Sequence, residues 1–211
     1  MSKILVTGGA GFIGSHTCLA LLQKKYKIVV LDSFINSSPI SLERVKKISK
    51  INSFNVNEEI EIIRGDLRNF DLINNIFIKS KLEKYPISAV IHFAGLKSVG
   101  DSITNPLDYW DNNVISTINL LKAMEKNNCK NIVFSSSATI YAYPNNNKLI
   151  TENSLIRPVN PYGHTKSVIE KILENLSESC EGKWRIANLR YFNPIGAHSS
   201  GLLGEDPLGI P

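Results

Sequence analysis

The segment running from Lys3 through Ile-Leu-Val-Thr-Gly-Gly-Ala-Gly-Phe-Ile-Gly-Ser to His16 constrains this chain more than any other. An apolar run at residues 4–6 reads as a buried strand. Thr7 and the glycines follow at once, and a helical pattern starts near Phe12 and continues through Leu19, Leu21 and Leu22. Strand, glycine turn and helix in that order are the context in which a glycine pattern means dinucleotide binding. Gly8 permits the tight turn. Gly11 lets a pyrophosphate approach the backbone and the positive end of the helix, and Gly14 lets the helix pack on the strand. A turn that merely happens to be rich in glycine is the alternative, and the position of the motif argues against it.

The rest of the chain repeats the same alternation. Strand-like runs occur at residues 4–6, 28–31, 60–63, 89–93, 132–135 and 185–189. Helical patterns fit residues 12–23, 42–48, 72–79, 107–126 and 161–179. This predicts an α/β fold: a Rossmann-type, doubly wound parallel sheet with helices on both faces. Residues 49–59 and 143–147 are polar and rich in Asn or Ser, or carry Pro144, and read as surface loops. The expected division is a dinucleotide-binding domain over residues 1–190 and the start of a substrate domain over residues 191–211. Little sequence remains after residue 190 to cover the carboxyl ends of the strands. An unpaired sheet edge and an uncovered apolar face are therefore expected, with poor stability.

Composition excludes several classes. No apolar run approaches the ~20 residues needed to cross a bilayer, and the N-terminus lacks the features of a signal peptide. Cys18, Cys129 and Cys180 are few, odd in number and far apart, so they read as reduced thiols of a cytoplasmic protein. His16, His92, His164 and His198 show no metal-ligand spacing, and no metal is expected. The net charge of +5 gathers at residues 44–47 and 79–84. Those clusters lack interleaved aromatics and read as solvated helix faces, not as a nucleic-acid surface.

Three further elements carry chemistry. Asp32 ends the second strand roughly twenty residues after the glycine turn, where a carboxylate accepts hydrogen bonds from both hydroxyls of the adenosine ribose. It would repel the extra phosphate of NADP, so NAD is favoured. Tyr162 and Lys166 lie four apart on one face of a predicted helix. Half-ionising a free tyrosine at pH 7 costs ~4 kcal/mol. An ammonium about 5 Å away supplies ~3 kcal/mol at an effective dielectric of 20, and a cationic nicotinamide supplies the remainder. Tyr162 then takes a proton from a substrate hydroxyl while hydride leaves the same carbon. Ser135-Ser-Ser-Ala-Thr139 follows the fifth strand. Ser137 is assigned to bond the reacting oxygen, with Thr139 assisting.

With these elements the chain resembles the extended short-chain dehydrogenase/reductase family, and within it the UDP-glucose 4-epimerases. The motifs that carry the likeness are His92-Phe-Ala-Gly-Leu-Lys-Ser-Val-Gly100, Tyr191-Phe-Asn-Pro-Ile-Gly-Ala-His198 and Gly204-Glu-Asp-Pro-Leu-Gly-Ile-Pro211. Related dehydratases typically carry an acidic pair where Ala138 and Thr139 stand. The resemblance implies interconversion of UDP-glucose and UDP-galactose. Hydride passes from sugar C4 to tightly held NAD, and it returns to the other face after the keto sugar swings over.

By the same match, Phe12 and Ile13 lie near the pyrophosphate. Asp32, Ser33, Asn36 and Ser37 hold the adenosine end, and Asp66 and Leu67 flank the adenine. Phe93, Ala94, Gly95, Lys97 and Asn112 line the cofactor, as do Ser137, Tyr162 and Lys166. Phe192 borders the nicotinamide. Lys97, Ser137, Thr139, Tyr162 and Asn193 reach the substrate. Ser33 stands where the family more often has Asn, and residues 143–147 depart from the family's usual glycine-containing loop. The family runs on well beyond this length and is usually dimeric through helices matching residues 107–126 and 161–179. A truncated module that binds NAD without turnover is the alternative reading. An enzyme acting on UDP-N-acetylhexosamines or UDP-pentoses is another.

Overall fold

In a computed structural model of the chain, residues 2–51, 59–142, 149–179 and 183–206 are described. The expected loop at 143–147, most of that at 49–59, and Cys180 lie outside them. The elements in chain order are β1 (Lys3–Thr7), α1 (Phe12–Gln23), β2 (Lys27–Asp32), α2 (Pro39–Ile51), β3 (Ile60–Arg64), α3 (Phe70–Leu82) and β4 (Ile87–His92). Then come α4 (Val99–Thr104), α5 (Pro106–Tyr109), a π-helical turn (Trp110–Ile115), α6 (Ser116–Lys126), β5 (Asn131–Ser137), a 3-10 turn (Ala138–Ile140), α7 (Pro161–Glu178) and β6 (Arg185–Tyr191).

The six strands form one parallel sheet in the order β3-β2-β1-β4-β5-β6. The chain winds outward from β1 to β3, then returns to lay β4 on the other side of β1. Strand order reverses between β1 and β4, where Thr7 pairs with His92. A crevice at the carboxyl ends of the strands belongs there.

Strand periodicity explains the two cores. Leu5, Val29 and Leu31 face one way and pack with residues of α3, α6 and α7, together with Val90, Ile132 and Phe134. Val6, Ile28 and Val30 face the other way and pack with α1 and α2 through Cys18, Leu22, Leu42 and Val45. Successive residues of a strand point to opposite faces, so one short apolar run supplies both layers.

Two features differ from the sequence reading. The single helix expected at residues 107–126 is interrupted by the π-helical turn. At its end the Ser116 and Thr117 hydroxyls donate to the carbonyls of Asn112 and Asn113, which competes with regular i−4 bonding. The short α4 was not expected. It is capped by Ser98, whose Oγ accepts from the Asp101 amide at 3.2 Å, and it is too short to show an apolar period. Among the described residues β6 is one edge of the sheet, β3 being the other, and it bears exposed Leu189; Phe192 and Ile195 beyond it are exposed too.

Phe77 is 1% exposed and lies in the α3 layer, within the larger core cluster. Phe77→Ala is expected to lower unfolding free energy by about 3–5 kcal/mol, read as a lower urea midpoint at unchanged slope. A loss under about 1 kcal/mol would contradict this packing.

Candidate active site

The glycine turn is an interlock. Gly8 has φ +68°, and a Cβ built on it would stand 2.5 Å from the Ala94 nitrogen, so the turn touches the loop after β4. A Cβ on Gly14 would stand 2.2 Å from the Gly8 carbonyl oxygen, so the first turn of α1 rests on the turn itself. Gly11 is different: a Cβ there would meet the Gly8 oxygen at an ordinary 3.4 Å. Gly11 is the N-cap of α1 and brings no side chain to its first amides, and no acidic residue stands in that first turn. Those amide donors, with the helix's partial positive charge, suit an anion.

Asp32 is buried at the carboxyl end of β2. Its Oδ2 accepts from the Ala10 amide at 2.9 Å, and its Oδ1 accepts from the Phe34 amide and the Ser37 hydroxyl, each at 2.9 Å. The expectation that Asp32 takes both ribose hydroxyls needs adjustment. Oδ1 already has two donors, and Oδ2 has one lone pair free. A second hydroxyl would have to replace that of Ser37. Ser33 is half-buried and Asn36 exposed on the same loop. Just after the next strand, Asp66 is engaged by Arg68, which donates to Oδ1 at 3.1 Å and to Oδ2 at 2.6 Å and holds its carboxyl below the usual range. Leu67 is buried in the core, so its side chain is not available to flank a base.

The proposed acid–base residues converge at the end of β5. Asn160 caps α7 by accepting from the Gly163 amide at 2.8 Å, and Pro161 opens the helix. A Cβ on Gly163 would stand 2.7 Å from the Thr139 carbonyl oxygen. This close approach seats the first turn of α7, and with it Tyr162, against Ser137 and Thr139. Ser137 Oγ accepts from both the amide and the hydroxyl of Thr139, at 3.2 and 2.9 Å. Its own proton is thereby left to point elsewhere.

Lys166 is 5% exposed and donates to the Ser135 carbonyl at 2.8 Å. Its Nζ lies 5.8 Å from the centre of the Tyr162 ring, and burial lowers its pKa to about 8. The sequence reading had Lys166 lower the tyrosine's pKa. In this structure burial of Tyr162 dominates and raises it, while the neighbouring Ser137 hydroxyl pulls the other way. Burial thus favours the neutral phenol of Tyr162.

A line of buried polar groups, missed in the sequence except for His92, joins these parts. Thr117 donates to the Asn113 carbonyl, so it accepts from His92 Nε2 at 2.9 Å; His92 Nδ1 therefore accepts from Thr7 at 2.6 Å. The Asn113 amide accepts from the Leu96 amide at 2.8 Å and donates to the Leu96 carbonyl at 3.1 Å and to Thr165 at 3.2 Å. Thr165 donates to the Tyr162 carbonyl at 2.7 Å. The line runs from the strand before the glycine turn to the turn that carries Tyr162. Asn112, expected to line the cofactor, donates to the Asp108 carbonyl instead. The signal for Asn113 was its place on the stripe shared with Thr117, Leu120 and Met124, where a polar residue on a core face needs partners.

A second cluster supports β5 from below. Glu170, one turn beyond Lys166, accepts from Ser136 and is held by the Arg190 fork, with contacts at 2.7–3.2 Å. Arg190 also donates to the Tyr141 hydroxyl at 2.8 Å. Phe93, Ala94 and Gly95 are half-buried beside the glycine turn, and Lys97 is exposed just beyond. Phe192 and Asn193 are exposed past the end of β6.

His92 is fully buried, and burial pushes its pKa down to about 3. The folded state keeps it neutral, whereas the unfolded chain protonates near pH 6.5. Its contribution is therefore complete above pH 6.5 and lost progressively as pH falls toward 3. Between pH 7 and pH 5 that loss amounts to about 2 kcal/mol. His92→Gln is expected to remove this part of the acid slope in a urea-midpoint series, and an unchanged slope would contradict the assignment.

A model of the NAD dependent epimerase/dehydratase family matches residues 4–205. The chain is 49% identical over 209 residues to a Pisum sativum protein described as a bifunctional UDP-glucose 4-epimerase and UDP-xylose 4-epimerase, covering 99% of this chain and 57% of that one. It is 49% identical over 208 residues to the UDP-glucose 4-epimerase of Bacillus subtilis (strain 168), with the same coverages. Among solved structures, UDP-glucose 4-epimerase from Bifidobacterium longum in complex with NAD+ and UDP superimposes with a TM-score of 0.88 at 46% identity. That match covers 100% of this chain and 59% of that one. The chain therefore spans little more than half the length of these relatives.

Proposed function

The chain belongs to the NAD dependent epimerase/dehydratase family, and from that premise we propose that it is the cofactor-holding part of a UDP-glucose 4-epimerase. The observation that carries the reading is the placement of Tyr162 against Ser137 and Thr139, on the same sheet edge as an uncapped helix N-terminus and a ribose-ready carboxylate. The first amides of α1 fit a pyrophosphate, and Asp32 fits a ribose without a 2′-phosphate. Both sets of residues suit NAD. When bound, NAD supplies a reversible hydride acceptor next to the sugar's C4.

The chain's own residues handle the proton. Ser137, already accepting from Thr139 twice, donates its proton to the reacting oxygen and fixes its position. Tyr162 takes the hydroxyl proton as hydride leaves and gives it back on return. That step needs a phenolate near neutral pH. Burial opposes it, so the ammonium of Lys166 and the positive charge of an oxidised nicotinamide must both act when cofactor is present. Lys166 is poised for this. Held in place by the Ser135 carbonyl, it is already over the Tyr162 ring.

The substrate assignment to UDP-glucose and UDP-galactose rests on the relatives. Assignment of residues 1–190 to a cofactor domain and 191–211 to the start of a substrate domain belongs to the same proposal. So does a cytoplasmic location; among the described residues no helix is long and apolar enough to cross a membrane. A homodimer through the helices over residues 107–126 and 161–179 belongs to it too, and exposed Leu107 and Ile115 support it. A second reading is a module that binds NAD without turnover, since burial opposes the ionised form of Tyr162.

The test is conversion of UDP-galactose to UDP-glucose by the purified chain supplied with NAD. The proposal expects NAD to bind, and any conversion to fall by on the order of 10²–10⁴ in Tyr162→Phe while NAD stays bound. NAD bound without conversion in the wild type would favour the second reading. Conversion unchanged in Tyr162→Phe would sink the mechanism.

A further inference from the structure

The chain beyond β6 does not stay at the sheet's edge. Pro194 to Ala197 run along the first turn of α1, leaving with Phe12, Ile13 and His16 a crevice of about 280 Å³. The backbone then doubles back. Ala197 bridges Gly204, the His198 amide donates to the Leu203 carbonyl at 2.8 Å, and Gly201, at φ +70°, closes the bend. Leu203 is 3% exposed and belongs to the apolar cluster of Val6, Ala10 and Leu42, with Leu202 packed beside it. That cluster lies on the opposite side of the glycine turn from β6. Finally, Glu205 reaches the loop after β4, where it accepts from Lys97 Nζ at 3.0 Å.

Residues 192–205 thus start at the far strand, pass the N-terminus of α1, and are fastened on both flanks of the glycine turn. One fastening is apolar and buried. The other is an ion pair to a residue expected to line the cofactor.

We propose that this segment is a strap that retains the dinucleotide, with Leu203 as its buried anchor and Glu205 as its ionic latch on Lys97. The strap deepens the cofactor reading given above and rests on it. A dinucleotide held by the glycine turn and Asp32 lies beneath the strap, and it leaves only when the strap lifts. Lifting breaks the Glu205–Lys97 pair and withdraws Leu203 from the core. Retention therefore depends on two residues that touch neither Tyr162 nor Asp32. The exposed pair is the weaker fastening and the salt-sensitive one, since ions screen it. The buried leucine is the stronger.

The experiment measures NAD release from the preloaded 211-residue chain, by rapid dilution into excess NADH and fluorescence of the bound reduced form. Glu205→Gln is expected to speed release by about threefold, the range of an exposed ion pair. Raising the salt is expected to speed the wild type but not Glu205→Gln. Leu203→Ala is expected to speed release at least about tenfold. Hydrogen exchange without NAD provides a second reading, in which the amide of His198 is expected to lose protection in Leu203→Ala, while amides of β1 keep theirs. Equal release rates in wild type and both variants, with NAD bound, would overturn the strap alone. Failure of the folded wild type to bind NAD would overturn the cofactor reading, and the strap with it.

Discussion

The contact on which the rest of the site depends is the one between Gly14 and the carbonyl of Gly8. No side chain fits there: a Cβ would stand 2.2 Å from that oxygen. Because the helix can settle onto the turn, its first amides are uncapped and presented at the carboxyl edge of the sheet. The same turn is fixed from the other side by the backbone of Ala94, which admits no Cβ on Gly8 either. A fold with any other residue at these two positions must push α1 or the β4 loop away. Asp32, tied to the amide of Ala10, moves with them.

From that interlock a continuous set of buried hydrogen bonds reaches the proposed acid–base residues. Thr7, His92, Thr117, Asn113 and Thr165 connect β1 to the first turn of α7. Each polar group in the line is satisfied, which makes the line stiff, and a missing member would leave a buried partner unpaired. The glycine turn and Tyr162 are therefore parts of one rigid object. The Glu170–Arg190 pair does the same for β5 and β6, and so for the strand that carries Ser137.

Much of this was legible in the sequence because it rests on local rules. Alternating apolar runs and helical periods gave all six strands, and the glycine spacing with Asp32 located the crevice. The Tyr162–Lys166 spacing put both residues on one helix face. The unread parts depend on contacts distant in sequence. That Gly163 exists to touch Thr139 follows from the packing of α7 on β5, which no spacing announces. The π-helical turn is accompanied by serine and threonine hydroxyl bonds to the backbone that a period-based reading treats as neutral. The burial of the Tyr162 phenol, which raises its pKa, comes from the packing of α7 and is not announced by a four-residue spacing. Leu203 sits in a stretch rich in glycine and lacking any period, so nothing local marks it as a core residue.

The central claim is that the β1 turn and Asp32 form a site for NAD that rejects NADP. The most direct measurement is titration of the purified chain with each dinucleotide by calorimetry, alongside Asp32→Asn. A carboxylate facing a phosphate at about 4 Å is worth several kcal/mol even at an effective dielectric of 20, so NAD is expected to bind on the order of a hundredfold or more tighter than NADP. Asp32→Asn is expected to erase most of that preference. Equal binding of NAD and NADP by the wild type, or binding of neither by folded protein, would contradict the account.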